Sequence, residues 1–137
     1  MRPIDRVLET VLYARDLEAA EGFYRDVLGL EVDSRKEGLF VFFKCGDGML
    51  LIFDPKRAAS GRSVPPHGTT GPGHACLAVA EADLERWRAR LAAAGVVIEQ
   101  EMDWPRGGRS FYFRDPAGNS LELATPKIWG LEDPGDG

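Results

Sequence analysis

The chain has 137 residues, with 17 Lys and Arg against 22 Asp and Glu for a formal charge of −5, so neither nucleic acid nor an anionic membrane is an expected partner. Hydrophobic residues at 44% and charged residues at 28% describe an ordinary globular domain, and no apolar run approaches the roughly 20 residues that span a bilayer. Cys45 and Cys76 are too few and too far apart for a disulfide framework or a zinc ribbon, and with no signal sequence they point to a reducing, cytoplasmic setting.

Residues 7–14 form an apolar run of β-formers. At strand period, Val7, Glu9, Val11 and Tyr13 share one face and Leu8, Thr10, Leu12 and Ala14 the other. Asp16 reads as a helix N-cap, followed by Leu17, Ala20, Tyr24, Val27 and Leu28 at helical spacing and by Gly29 as the stop. Three strands are predicted over about 31–35, 39–44 and 49–53, separated by Gly38 and the Gly46-Asp47-Gly48 turn. Residues 56–73 are dense in Gly, Pro, Ser and Thr and read as a linker or mobile loop. A second apolar strand covers 74–79, and Asp83 repeats the N-cap. Leu84, Trp87 and Leu91 then define a helical face that Gly95 ends. The basic cluster Arg86, Arg88 and Arg90 lies in this helix and reads as its solvated side. Strands are predicted over 96–101, 109–114 and 120–124. The apolar 127–131 stretch is expected to pack Trp129 on the body or on a partner subunit, and 132–137 to be disordered.

Each half therefore reads βαβββ, an internal repeat. Placing Glu9 on His74 brings Asp16-Leu17-Glu18 onto Asp83-Leu84-Glu85 after a two-residue insertion. It also matches Phe43 with Phe113, Leu50-Leu51-Ile52 with Leu121-Glu122-Leu123, and Pro55 with Pro126. Between the last two strands, Asp115-Pro116-Ala117-Gly118-Asn119 has strong turn chemistry and delivers Glu122 between two leucines. A glutamate buried in an apolar strand is costly unless it is paired or binds a metal.

Glu9 and His74 occupy one slot of the repeat. Glu122 occupies another, whose counterpart in the first half is Leu51. Three ligand-type residues and one apolar blank suit a metal that keeps positions open for water or substrate. One imidazole and two carboxylates favour Mn²⁺, Mg²⁺, Fe²⁺, Co²⁺, Ni²⁺ or Zn²⁺ over soft metals. Glu122 or Glu9 is also the candidate general base. Arg109, after two glycines, is a candidate for a substrate carboxylate or phosphate. His67 is a loop residue able to close over the site, and Tyr13, Val11, Phe42, Tyr112 and Trp104 are candidate pocket wall.

The strand–Asp-Leu–helix opening with Phe23-Tyr24-Arg25-Asp26-Val27-Leu28-Gly29, the repeat, and the Asp115-Pro116-x-Gly118-Asn119-x-x-Glu122 ending resemble the glyoxalase/bleomycin-resistance/extradiol-dioxygenase (vicinal oxygen chelate) superfamily over about residues 5–127. The resemblance implies a single α+β domain: two tandem βαβββ modules, at about 5–55 and 74–127, forming a U-shaped mixed sheet with helices outside. It also implies one divalent metal ion per chain, ligands at the slots of Glu9, Leu51, His74 and Glu122, and a homodimer. Glu9 stands where the dioxygenases carry a histidine, and Leu51 removes one of the four ligands usual in glyoxalase I enzymes. The expected function is metal-dependent isomerase, lyase or transferase chemistry on a small molecule with adjacent oxygens. The alternatives are a drug- or metabolite-binding protein without chemistry and, third, an extradiol-type dioxygenase.

Overall fold

The computed structural model describes residues 1–60 and 64–133, and the chain divides into two compact units, Met1–Gly73 and His74–Gly137. In the first, β1 (Glu9–Tyr13), α1 (Leu17–Gly22), β2 (Glu31–Lys36), β3 (Phe40–Cys45) and β4 (Gly48–Phe53) build a mixed sheet of order β1-β4-β3-β2, with β1 parallel to β4. Alternation sends Leu12, Val41, Phe43, Leu50 and Ile52 to one face, where all are buried. The helical segment covers that face with Ala20, Tyr24 and Leu28, and the Tyr24 ring lies 5.5 Å from Phe43. Each buried leucine, isoleucine, valine or phenylalanine among them contributes roughly 1.5–3 kcal/mol. The opposite face carries Val11, Tyr13, Phe40, Phe42, Met49, Leu51 and Phe53, partly closed by Ala58 of α2 (Pro55–Ala58).

The second unit repeats the plan. Strands β5 (His74–Ala78), β6 (Gln100–Asp103), β7 (Arg109–Arg114) and β8 (Ser120–Ala124) pair in the order β5-β8-β7-β6, and α3 (Leu84–Ala93) follows β5. Phe111, Phe113, Leu121 and Leu123 form its buried face with Leu84 and Leu91 of α3. The repeat holds at the level of register: Phe43 pairs with Leu50 as Phe113 pairs with Leu121. The glyoxalase-like α+β architecture of two βαβββ modules is thus the observed one.

The β7–β8 turn is a clamp built on Asp115. Its Oδ1 accepts from the amides of Ala117 and Asn119, both at 2.9 Å, and its Oδ2 accepts from Asn119 Nδ2 at 2.9 Å. Gly118 supplies the positive φ of 86°. This turn sets the register of β8, and a slip of one residue would turn Glu122 into the helix-covered core.

Several boundaries move. Strand β1 begins at Glu9, leaving Val7 and Leu8 exposed, and β6 begins at Gln100 because Val96 N instead bonds back to Leu91 O at the end of α3. The first helix changes to π-helical turns over Phe23–Val27. The 56–73 segment is not all loop, since α2 reaches Ala58, and residues 61–63 lie outside the described residues. A 3₁₀ turn, Pro126–Trp129, ends the second unit with Trp129 still 69% exposed rather than packed on the body. Asp133 is placed, accepting from Glu81 N at 3.1 Å; the expected disorder at 134–137 falls outside the described residues. Arg88 is only half solvated: it pairs with Glu85 and Glu101, and its guanidinium sits 4.7 Å from the Phe111 ring centroid.

The two N-caps also differ. Asp16 has extended backbone (ψ 90°) and accepts from Ala19 N, whereas Asp83 closes a 3₁₀ turn with ψ −3° and its carboxylate caps nothing. Asp16→Ala should therefore cost about 1 kcal/mol and Asp83→Ala close to nothing, a contrast that urea unfolding of the two variants would check.

Candidate functional site

His74 opens β5 beside Ser120 of β8, and its Nδ1 lies 2.9 Å from the Ser120 carbonyl oxygen. A carbonyl only accepts, so Nδ1 carries a proton, and in the neutral imidazole Nε2 presents a lone pair. That lone pair is aimed at a carboxylate: Nε2 stands 3.4 Å from Glu122 Oε1. Two electron-rich atoms face each other at that distance stably only when a proton or another cation lies between them. His74 is about half exposed at the side chain, whereas Glu122 is only 7% exposed, and its Oε2 is buried with no hydrogen-bond partner among the described residues. An orphaned carboxylate oxygen beside an oriented imidazole is a donor set that fits a divalent metal. The residues present therefore pass the chemical test for the ion implied by the sequence.

The rest of this sheet face follows from register. Cys76 pairs with Glu122 across β5–β8, and Tyr112 pairs with it across β7–β8. Cys76 keeps an exposed edge, and partial desolvation on this face, with the charge and proximity of Glu122 adding to it, pushes its thiol up to about 12. The Tyr112 hydroxyl is likewise raised, chiefly by burial and also by Glu122, against an opposing effect from Ser110. Both therefore stay protonated beside the carboxylate at neutral pH. The Tyr112 ring lies nearly parallel to the His74 ring, with centroids 6.3 Å apart. Trp104 Nε1 donates to Ser110 Oγ at 2.9 Å, which brings the indole to the same face.

Other candidates are placed elsewhere. Arg109 alternates with Ser110 and Tyr112, so it points to the opposite side of β7, where its guanidinium holds Asp103 at 2.9 Å. Glu9, Val11 and Tyr13 share the non-helical face of β1 in the first unit, opposite Met49, Leu51 and Phe53. Phe42 pairs with Leu51 on that face. His67 joins it from the loop: the Tyr13 hydroxyl and His67 Nδ1 are 2.5 Å apart, and the imidazole stands edge-on to Phe53. Among the described residues, no three His, Cys, Asp or Glu side chains converge closely enough to hold a metal; His74 and Glu122 are a pair. The Ser120 carbonyl that orients His74 left no signal in the sequence, because a backbone oxygen is the same whatever side chain its residue carries.

A family model for the glyoxalase/bleomycin resistance protein/dioxygenase superfamily matches residues 4–123. The chain belongs to this superfamily. It is 35% identical over 116 residues to the glutathione transferase FosA of Serratia marcescens, covering 82% of this chain and 74% of that protein. A crystal structure of lactoylglutathione lyase from Agrobacterium tumefaciens superposes with a TM-score of 0.90 at 45% identity, covering 95% of this chain and all of that one. A glyoxalase/bleomycin resistance protein/dioxygenase from Nocardioides, at 23% identity over all of this chain and 93% of its own, shares the fold with a TM-score of 0.72. For this superfamily member no helix among the described residues is long and apolar enough to cross a membrane.

Proposed function

We propose that this superfamily member is a divalent-metal-dependent enzyme acting on a small molecule with two adjacent oxygens, by lyase, isomerase or transferase chemistry. The observation that carries the reading is the buried Glu122 Oε2, without a hydrogen-bond partner among the described residues, beside a histidine whose Nε2 the Ser120 carbonyl turns toward the carboxylate. His74 and Glu122 would hold the metal, and Glu9, at the matching slot of the first repeat, is assigned as the third protein ligand. A bound divalent cation would supply Lewis-acid polarisation of a substrate oxygen. The Ser120 carbonyl keeps His74 in one tautomer. Tyr112 and Cys76 remain hydrogen-bond donors on the substrate side. Glu122 Oε2, or the Glu9 carboxylate, is the atom assigned to take a substrate proton. Tyr112, Trp104, Val11, Tyr13, Phe42 and His67 supply wall. Arg109, committed to Asp103, is the weakest of the binding assignments. The exposed Trp129 and Leu131 support assembly as a homodimer that covers them.

Elemental analysis of the purified protein tests the reading. About one divalent ion per chain is expected, lost in a His74→Ala/Glu122→Ala variant. No metal in either sample after reloading with Mn²⁺, Ni²⁺, Zn²⁺ and Fe²⁺ would sink it and favour a ligand-binding protein without chemistry. Because both relatives are named for glutathione chemistry, glutathione-dependent lyase and transferase assays are the first activities to run on the loaded protein.

A further inference from the structure

Past the His74–Glu122 pair, the open face of the second sheet runs into a cavity of about 380 Å³. Parallel pairing sets Cys76 beside Glu122 and Ala78 beside Ala124, so all four share the face that His74 opens. Cys76, Ala78 and Ala124 line the cavity, and Ala78 lies two residues past Cys76, roughly 7 Å at strand rise. The cavity therefore starts at the cross-strand neighbour of the carboxylate assigned to the metal.

The C-terminal segment supplies the opposite wall. Ile128 and Trp129 of the 3₁₀ turn, with Leu131 just after it, complete the apolar lining. This wall is fixed at both ends. At the first, Gly108 lets the turn settle: a Cβ there would stand 2.6 Å from Thr125 Oγ1 and 2.9 Å from Ile128 N, and its φ of +83° suits glycine. At the second, Asp133 is tied to the Glu81 amide. Trp129 and Leu131 are 69% and 65% exposed, so each can line the cavity on one side and meet a second copy on the other.

The lining selects against charge. Thr125 belongs to it, but its hydroxyl already accepts from Arg109 N at 3.0 Å. Glu132 is the one charged residue in the lining, and it repels an anionic group. A concavity of this size, lined mainly by alanine, isoleucine, leucine and tryptophan and holding no cation, suits a hydrocarbon group.

We propose that this cavity binds an uncharged alkyl or aryl group, and that it receives the end of the substrate remote from the two chelating oxygens. The second clause rests on the metal-enzyme reading; the first stands without it.

Alkyl hydroxamates combine two adjacent oxygens with an arm of chosen length, so calorimetric titration of the metal-loaded protein with aceto-, butano- and hexanohydroxamate tests the assignment. Affinity is expected to rise about threefold per methylene, close to the transfer of one methylene out of water. Ala78→Leu, which fills the floor, and Trp129→Ala, which removes a wall, should each flatten that rise. In parallel, hexanol added to the metal-free protein in chelator should shift the amide resonances of Cys76, Ala78 and residues 128–131, and hexanoate should shift them far less. Equal affinities along the hydroxamate series, or a rise unchanged in both variants, would overturn the assignment and leave the metal reading standing. If the protein takes up no metal, the metal reading falls and hexanol decides: shifts confined to those amides uphold the cavity. No shifts, or shifts that follow protein concentration instead of hexanol and so mark a second copy in the cavity, would overturn it.

Discussion

Glu122→Leu is expected to stabilise the metal-free protein and, in the same step, to abolish divalent-metal binding. Leucine is what the first repeat carries in this slot: Leu51 pairs with Val11 and Phe42 as Glu122 pairs with Cys76 and Tyr112. Both side chains are buried, so the sheet accepts leucine here without new volume to find. The substitution removes a buried carboxylate oxygen that has no donor among the described residues, a group that costs about 1–3 kcal/mol to leave unsatisfied. It also removes the contact with His74, which is half exposed and so contributes below about 1 kcal/mol. The net gain should be about 1–2 kcal/mol, seen as a rise of a few degrees in the melting temperature in excess chelator. Metal added to the parent should raise its melting temperature by mass action, and metal added to the variant should not. A variant that melts lower than the parent in chelator would show that Glu122 serves the fold rather than a ligand.

What could be read in the sequence divides along physical lines. Strands β7 and β8 were placed to the residue because local chemistry fixes them: the Asp115 clamp and Gly118 set the turn, and β8 must follow in register. Strand β6 was misplaced because Val96 closes the helix through Leu91 O, a choice between two backbone partners that side-chain pattern does not record. Asp83 occupies the same sequence position as Asp16 yet caps nothing, because a 3₁₀ turn before α3 gives it a helical ψ. Glu122 and His74 were legible because a repeat compares each position with a second copy of its surroundings. Arg109 was offered as a substrate-binding residue, yet counting by two from Glu122's partner Tyr112 puts it on the other face, where it holds Asp103. The Tyr13–His67 contact spans 54 positions through a polar loop, and no periodicity reaches that far.

The largest loss of stability should come from Phe113→Ala, with Phe43→Ala close behind. Each ring is fully buried on the helix-covered face of its sheet, and each pairs with a leucine on the neighbouring strand. Truncating a buried phenylalanine costs about 3–5 kcal/mol, because the lost transfer energy is joined by an unfilled cavity. Phe42→Ala removes the same atoms from a partly exposed position on the opposite face, so it should cost clearly less. Urea unfolding of the three variants would rank them. If Phe43→Ala proved as mild as Phe42→Ala, the two repeats would share a strand register without sharing how their cores carry load. Equal losses at Phe43 and Phe113 would instead mean that the repeat is conserved in its packing. Leu51 against Glu122 would then be a difference confined to the open face, where one copy kept a carboxylate that its core does not need.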